Sequence, residues 1–197
     1  MTTLSDPDVT GGQAERPRRR RSRVVLYTSL AVAALLAVLI TLLASAKPST
    51  DSVTASPLIG KAAPPVSGTS VTGTGSYALS GYIGKWVLLN FSASWCVPCR
   101  DETPQLVAFQ KQHAGAGGNA TVLGVEFDPS DTANLAAFLA SSHATWPAIN
   151  DPSAEVAYGV TGIPESYLVD PAGIVVAKFF GGVTAAQVDK AISQASS

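Results

Sequence analysis

The longest apolar run in the chain lies near its N-terminus. Residues 24–44 (VVLYTSLAVAALLAVLITLLA) are 21 consecutive positions without a charged side chain. As a helix rising 1.5 Å per residue, this run would be about 31 Å long, which matches the hydrocarbon thickness of a bilayer. The pattern therefore predicts a membrane-spanning helix over residues 24–44.

The later part of the chain alternates short apolar runs with amphipathic stretches, as a folded domain does. Strands are predicted over 86–91 (WVLLNF) and 121–127 (TVLGVEF), because both runs are short and apolar. A hairpin is predicted around the turn Pro171-Ala172-Gly173, with its strands over 166–170 and 174–180. The predicted helices cover residues 97–112, 133–140, 153–158 and 185–194. This order predicts an α/β domain, a mixed sheet with helices on both faces.

Composition divides the chain into four segments. Residues 47–67 are rich in Pro, Ser, Thr and Ala and have no sustained apolar period, which is typical of a tether. We therefore expect a basic cytoplasmic tail at 1–23, the transmembrane helix at 24–44, a linker at 45–57 and the folded domain at 58–197.

Charge is distributed unevenly between these segments. Residues 1–23 carry six arginines and three acidic groups, whereas residues 47–197 carry seven basic and eleven acidic groups. Arginines directly before an apolar span stay on the cytoplasmic side, so the domain is expected outside the cytoplasm. The acidic excess of the domain argues against a nucleic-acid partner.

The apolar run has a second interpretation, a cleaved signal peptide. Ala44-Ser45-Ala46 resembles a cleavage site, and cleavage after Ala46 would give a secreted protein. The run is longer than the usual apolar core of about 7–15 residues, which favours a retained single-pass anchor with its N-terminus inside. Both interpretations place the domain outside the cytoplasm.

The only two cysteines of the chain, Cys96 and Cys99, stand at the predicted junction of a strand and a helix. A purely structural disulfide is one interpretation, but it would close a very short loop and restrict the unfolded chain little. A zinc site is a second interpretation, but four ligands are needed, and beyond carboxylates only His113 and His143 are available. No metal and no cofactor are expected.

Redox catalysis is the third interpretation and the one that the local chemistry favours. Free backbone N–H groups and the dipole at a helix N-terminus stabilise a thiolate. We predict that Cys96, open to solvent, attacks a substrate disulfide to give a mixed disulfide. Cys99, which is better shielded, then attacks Cys96 and releases the reduced substrate.

The residues around the cysteines resemble the active site of thioredoxins. Trp95-Cys96-Val97-Pro98-Cys99 with Pro104 resembles the active-site helix, and GIPESYLVD (162–170) resembles the loop that carries a cis-proline. The resemblance implies a thioredoxin-like fold, a cis peptide bond before Pro164, and an Ile163 backbone that pairs with a substrate strand. The substrate-binding residues that it implies are Trp95, Pro98, Ile163 and Pro164.

A narrower resemblance covers residues 58–195. LIGKAAPPVSG (58–68), WCVPCRDETP (95–104), VTGIPESYLVDPAG (160–173) and the trailing GG are similar to the exported, membrane-tethered branch that contains TlpA, ResA and CcmG (DsbE). This similarity implies a thiol–disulfide oxidoreductase that reduces apocytochrome c during cytochrome c maturation. It also implies a membrane electron donor of the DsbD/CcdA type.

Two glutamates are candidates for proton handling, because Asn90 stands where thioredoxin has a buried aspartate. Glu165 resembles the glutamate of CcmG-type proteins and is predicted as a proton relay. Glu126 is a second candidate, although a strand-end carboxylate in water is the interpretation that we favour. Glu102 is expected on the solvated surface of its helix.

Other functions stay open at this stage. The same enzyme could act in the opposite direction, as a general oxidant or isomerase for exported proteins. The domain could also be a tethered binding module without catalysis. A thiol peroxidase is disfavoured, because SASWC (92–96) lacks the Thr/Pro-rich loop expected before a peroxidatic cysteine.

Overall fold

The structure is a computed structural model that describes residues 19–45, 53–113 and 118–196. It divides into two compact units, and the division falls after Pro48. The first unit contains one long helix, α1 (Arg19–Ser45), whose exposed side chains between residues 23 and 41 are mostly apolar. By length and composition this is the one helix in the described part of the chain that could cross a membrane.

The second unit is built on a sheet of seven strands. The strands are β1 (Ser67–Ser70), β2 (Ser76–Ala78), β3 (Trp86–Ser92), β4 (Ala120–Glu126), β5 (Ala148–Asn150), β6 (Glu165–Val169) and β7 (Val175–Phe180). The helices are α2 (Val97–His113), α3 (Thr132–Ser141), α4 (Pro152–Tyr158) and α5 (Ala185–Ala195), with a short 3₁₀ helix over Leu79–Tyr82. The strands lie in the order β2-β1-β5-β4-β3-β6-β7. The predicted mixed α/β sheet is confirmed.

The connections explain which helices share a face of the sheet. β3, β4 and β5 are parallel neighbours, and α2 and α3 connect them. Right-handed crossovers that proceed in one direction along a sheet place both helices on the same face. α5 packs on that face too, because Leu106 of α2, Leu135 of α3 and Val188 of α5 share one buried apolar cluster. α4 returns the chain to β6 and packs on the other face through Ala154 and Tyr158.

The antiparallel edge formed by β1 and β2 was not expected from the sequence. Both strands are short and largely polar, so the apolar alternation of a strand is absent from SGTS and SYA. Gly68 allows β1 to approach β5, because a Cβ atom at this position would overlap the carbonyl oxygen of Asn150. β1 therefore pairs with β5 because the two backbones can come close together, and not because apolar side chains are buried there.

The start of the folded domain also needs correction. Val53 forms a β-bridge with Phe179, and the Thr54 N–H donates to the Lys178 carbonyl oxygen at 2.8 Å. Further along β7, the Gly60 N–H donates to the Val175 carbonyl oxygen at 2.8 Å. The last residues of the predicted linker therefore cover the outer edge of β7, which would otherwise expose unpaired backbone groups. Residues 46–52 and the tail before Arg19 lie outside the described residues.

The fold places the predicted site at the end of the sheet where the central strand β3 terminates. β3 ends at Ser92, and α2 begins five residues later, so the cysteines lie at the C-terminal end of a central strand. β6 is antiparallel to β3, and Phe91 pairs with Glu165. The loop before β6 is therefore brought next to the start of α2.

Candidate active site

Cys96 and Cys99 form a disulfide, with their Cα atoms 5.2 Å apart. Cys96 directly precedes α2, and the Cys99 N–H donates to the Cys96 sulfur at 3.2 Å. A free N–H group at a helix N-terminus is the group that stabilises a thiolate after reduction. Cys96 is therefore the sulfur with the local chemistry of a nucleophile.

The sequence led us to expect an open Cys96, but the sulfur pair is covered in the oxidised chain. Cys96 is only 4% exposed and Cys99 is 2% exposed. Ala93 is buried with them, and Phe127 and Ile163 pack against this cluster. The expectation was wrong because it considered only the helix start and not the two loops that close over it.

Two exposed side chains form the rim around the covered disulfide. Trp95 is 57% exposed and Val97 is 65% exposed, on either side of Cys96. The Trp95 indole Nε1 donates to Asp128 Oδ2 at 3.2 Å, which fixes the ring beside the cysteine. Pro98 is exposed in the first turn of α2. Trp95, Val97 and Pro98 are therefore exposed around the covered disulfide.

The loop before β6 has the geometry that the resemblance implied. The Ile163–Pro164 peptide bond is cis, as expected. The Pro164 carbonyl accepts the Gly181 N–H at 2.9 Å, whereas the described backbone hydrogen bonds include none to the N–H or C=O of Ile163. An extended peptide could pair with these two groups as an added strand.

Glu102 is buried, so the expectation of a solvated helix surface was wrong. Its side chain is 4% exposed and accepts two hydrogen bonds. Asn90 Nδ2 donates to Oε1 at 2.8 Å, and the Val183 N–H donates to Oε2 at 3.0 Å. Asn90 Nδ2 also donates to Ser166 Oγ at 2.9 Å. These bonds join α2, β3, β6 and the segment before α5.

Helical spacing was the signal that could have revealed this burial. The buried residues of α2 are Cys99, Glu102, Thr103, Leu106 and Phe109. They follow one another at intervals of three and four residues, the spacing of a single helix face. Glu102 lies on that face because it is three residues after Cys99, so the two side chains are neighbours on the helix.

Burial changes the acid–base behaviour of Glu102. Desolvation raises the pKa of Glu102 from its ordinary value of 4.5 to about 7, although the hydrogen bonds from Val183 and Asn90 oppose the shift. A carboxyl group with this pKa exchanges its proton at neutral pH. Next to Cys99, Glu102 is therefore a suitable proton acceptor for a thiol.

Glu165 is also fully buried, but on the opposite face of the sheet from α2. Side chains alternate along strands, so Glu165 and its partner Phe91 share one face, while Asn90 and Ser166 share the other. Lys178 Nζ lies 2.9 Å from Glu165 Oε1, and the Tyr167 hydroxyl donates to the same oxygen at 2.7 Å. This geometry describes a buried ion pair on the sheet face away from α2.

Glu126 is not the solvated strand-end carboxylate that we favoured. Its side chain is 0% exposed, and Oε2 accepts hydrogen bonds from Thr132 Oγ1 at 2.8 Å and Asn150 Nδ2 at 2.9 Å. Burial raises the pKa of Glu126, and the nearby charges of Asp131 and Asp128 raise it further. The side chain joins β4 to α3 and β5, because its partners belong to those elements.

The remaining titratable side chains do not assemble a metal site. Among the described residues, no group of three or more His, Cys, Asp or Glu side chains could hold an ion. His113 Nε2 lies 2.8 Å from Asp189 Oδ1, which joins the C-terminal end of α2 to α5. The described part of this chain offers the cysteine pair, the cis-proline loop and Glu102 for chemistry.

A comparison with protein families agrees with this geometry. Residues 59–178 match the model of the AhpC/TSA family. The chain belongs to the AhpC/TSA family. Its fold and cysteine pair are those of the thioredoxin-like members, so the resemblance drawn from the active-site motif is confirmed.

Individual relatives within this thioredoxin-like group are thiol–disulfide enzymes by name. The thiol:disulfide interchange protein CycY of Rhizobium leguminosarum bv. viciae is 40% identical over 105 residues, which are 51% of this chain and 53% of CycY. The thiol-disulfide oxidoreductase ResA of Bacillus cereus (strain ATCC 10987 / NRS 248) is 30% identical over 134 residues, 67% of this chain and 75% of ResA. The chain therefore spans about half of CycY and three quarters of ResA.

A solved structure supports the same assignment. A thioredoxin-family thiol:disulfide interchange protein from Chlorobium tepidum TLS superposes with a TM-score of 0.61 and 27% identity. The match covers 72% of this chain and 99% of that one. The chain is therefore similar to the thiol–disulfide oxidoreductases in sequence and in fold, and its Cys96–Cys99 pair fits their redox site.

Proposed function

We propose that this chain reduces disulfides of exported proteins through Cys96 and Cys99. The observation that carries the proposal is the disulfide at the start of α2, where the Cys99 N–H contacts the Cys96 sulfur and the cis-proline loop packs beside it. A disulfide that only stabilised the fold would need neither a thiolate-stabilising helix start nor an unpaired Ile163 backbone.

The reaction begins with the reduced chain. The Cys96 thiolate attacks one sulfur of a client disulfide, and the bond formed joins Cys96 to the client while the other client sulfur leaves as a thiolate and takes a proton. The Cys99 thiol then loses its proton and attacks the Cys96 sulfur. The client's second sulfur leaves as a thiolate and takes a proton from solvent, so the client is a dithiol and the chain is oxidised to the Cys96–Cys99 disulfide.

Glu102 is the proposed acceptor for the proton of Cys99. Its pKa of about 7 allows it to accept this proton near neutral pH, and its place one helical turn after Cys99 puts the two groups side by side. Asn90 holds the carboxylate in place but cannot itself take a proton. Glu165 and Glu126, the relay candidates from the sequence, accept hydrogen bonds from Tyr167 of β6 and from Thr132 of α3.

The proposed location is the outer side of a membrane. The helix α1 is long and apolar enough to span a bilayer, and the arginines that precede its apolar run favour a cytoplasmic N-terminus. The relatives CycY and ResA are named for thiol–disulfide chemistry. We extend this to apocytochrome c as the client and to a DsbD/CcdA-type membrane protein as the source of electrons.

The direction of electron flow is tested by the reduction potential of the full chain in detergent. A reductant is expected to have a potential of about −270 mV or lower, near that of thioredoxin, whereas an oxidant would lie near about −120 mV. A value near −120 mV would contradict reduction and support the oxidant or isomerase alternative.

The client is tested separately, in cells that lack the gene. Covalent haem on c-type cytochromes is expected to be lost and to be restored by the wild-type gene but not by one that encodes Cys96→Ser. Normal haem attachment in the deletion strain would exclude apocytochrome c as the essential client.

A further inference from the structure

Ser94, two residues before Cys96, is held by charged side chains from two different helices. Its N–H donates to Asp131 Oδ2 at 2.7 Å, and its hydroxyl donates to Asp131 Oδ1 at 2.8 Å. Its carbonyl oxygen accepts a hydrogen bond from Arg100 Nη1 at 3.3 Å. Both backbone polar groups and the side chain of one residue are therefore fixed by groups outside its own loop.

Asp131 departs from the usual behaviour of an aspartate at its position. It is the N-cap residue of α3, where an Asp side chain ordinarily accepts the N–H groups of its own first turn. Here the carboxylate makes no capping bond, because both of its oxygens accept hydrogen bonds from Ser94. A local preference that is given up in this way is a common sign of a functional constraint.

The backbone of Asp131 is itself well fixed. The side chain is 4% exposed, the N–H donates to the Asp128 carbonyl at 2.8 Å, and the carbonyl accepts the Leu135 N–H at 2.9 Å. The carboxylate is therefore presented from a rigid helix start. Asp131 can restrain Ser94 in a way that a mobile surface side chain could not.

Arg100 completes the arrangement from the other side. Its guanidinium carbon lies 4.8 Å from the centre of the Phe138 ring in α3. The Arg100 N–H donates to the Cys96 carbonyl at 3.1 Å, so the same residue also forms the first turn of α2. Arg100 therefore connects Ser94, α2 and α3.

We propose that Asp131 and Arg100 are positioning residues that hold the turn from Ala93 to Cys96 in place when the disulfide is reduced. The Cys96 N–H donates to the Ala93 carbonyl at 3.3 Å, so fixing Ser94 fixes the turn that ends at the reactive sulfur. In the dithiol form no covalent bond restrains this turn. The contacts to Ser94 then keep the Cys96 sulfur close to Cys99.

This restraint has a thermodynamic consequence. A high effective concentration of one thiol at the other favours closure of the disulfide. Releasing the turn stabilises the dithiol relative to the disulfide and makes the pair more oxidising. The inference rests on the proposed function, since a restrained turn lowers the reduction potential and suits a reductant.

The test measures how readily dithiothreitol reduces the disulfide in the full chain, in detergent, for the wild type and three variants. The variants are Asp131→Ala, Asp131→Asn and Ser94→Ala. In Asp131→Ala the equilibrium constant for reduction is expected to rise about tenfold, which for this two-electron couple is about 30 mV. In Asp131→Asn and Ser94→Ala it is expected to rise about threefold, because part of the contact remains.

Ser94→Ala separates positioning from charge. It keeps the carboxylate of Asp131 and removes only the hydroxyl contact, so an electrostatic effect of Asp131 alone would leave this variant at the wild-type value. If Asp131→Ala does not fold, Ser94→Ala and Asp131→Asn still decide the question.

The matched control is Asp151→Asn. Asp151 is also a buried N-cap aspartate whose carboxylate accepts a backbone N–H from another segment, that of Ser67 at 2.9 Å, and a serine hydroxyl, that of Ser153 at 2.6 Å. It lies between β5 and α4, and β4 separates β5 from β3, the strand that leads to the cysteines. If a residue has a purely structural role, its substitution destabilises the oxidised and reduced chains equally. The equilibrium constant for reduction is then unchanged, which is the result expected for Asp151→Asn.

Two results would overturn the inference: Ser94→Ala within twofold of the wild type, or Asp151→Asn shifted as far as Asp131→Asn. The proposed function is contradicted by a different result. A wild-type potential near that of an oxidant would contradict reduction, yet the shift between variants would still report on the positioning of Cys96.

Discussion

A chain with Cys99→Ser is expected to accumulate a mixed disulfide with its client, whereas a chain with Cys96→Ser accumulates none. The first variant keeps the sulfur at the start of α2, where the helix N–H groups stabilise the thiolate, but lacks the thiol that resolves the intermediate. Turnover of a protein disulfide is expected to fall by roughly 10³-fold or more in both variants, because each lacks one half of the exchange. Acid quenching of cells, non-reducing electrophoresis and mass spectrometry detect the trapped client.

The two variants serve as controls for each other. They remove the same disulfide, so they share any loss of stability that comes from the missing bond. An equal yield of mixed disulfides from both variants would show that the proposed order, with Cys96 attacking first and Cys99 second, is wrong. A Cys96→Ser chain that supports normal growth and haem attachment would favour a binding module without catalysis.

Glu102→Gln is expected to slow the resolution of the mixed disulfide by about 10²-fold at pH 7, the lower range for loss of a general base. Glutamine fits the site because the Asn90 amide can reverse. The Asn90 oxygen then accepts hydrogen bonds from the new NH₂ group and from the Ser166 hydroxyl. In the wild type the rate is expected to rise through an inflection near pH 7, where Glu102 loses its proton. Stopped-flow measurements from pH 5 to pH 9 are expected to show no such inflection in the variant.

The same substitution changes the pH dependence of stability. Because burial raises the pKa of Glu102 in the folded chain to about 7, the folded chain holds a proton that the unfolded chain releases near pH 4.5. The free energy of unfolding therefore falls as the pH rises from about 4.5 to 7, by roughly 3 kcal/mol from this group. Urea unfolding is expected to show a smaller decrease in Glu102→Gln than in the wild type, because Glu126, whose pKa burial also raises, still contributes in both chains.

Glu165→Gln is the matched control for both measurements. It also neutralises a buried glutamate, but on the sheet face away from α2, where the substitution leaves Lys178 without its ion-pair partner. It is expected to lower stability and to leave the inflection near pH 7 in place. If Glu165→Gln removes the inflection and Glu102→Gln does not, proton transfer runs through Glu165, as first predicted from the sequence.

The sequence predicts the central strands, the helices and the redox motif well for physical reasons. β3 and β4 are buried on both faces, so each is a continuous apolar run, and the two cysteines have few chemical interpretations. β1 and β2 lie at the sheet edge, where partly exposed polar residues carry no periodic signal. These two strands form because they pair with other segments of the chain, and the local sequence does not reveal that pairing.

The environments of the acidic residues could be predicted only in part. Helical spacing from Cys99 is enough to place Glu102 on the buried face of α2. Placing Glu165 requires the register between β3 and β6, because a shift of one residue would turn its side chain to the other face. Asp131 looks like an ordinary helix cap in the sequence, and only the fold brings Ser94 within reach.

The burial of Cys96 could not be predicted from the sequence either, because it also depends on how the strands pair. Phe127 and Ile163, which pack against the disulfide, are 31 and 67 residues away in the sequence and belong to different loops. Their positions follow from the parallel pairing of β3 with β4 and the antiparallel pairing of β3 with β6. A motif within a few residues of the cysteine carries no information about such contacts.

The most direct test of the central claim is the reactivity of the two thiols in the native chain. The full chain is reduced with dithiothreitol, freed of reductant and treated with a short pulse of iodoacetamide at pH 7, and each cysteine is then quantified by mass spectrometry. Cys96 is expected to be alkylated at least about tenfold faster than Cys99, because only its thiolate is stabilised by the helix start. Faster modification of Cys99, or a disulfide that resists reduction until the chain unfolds, would contradict the assignment of Cys96 as the nucleophile.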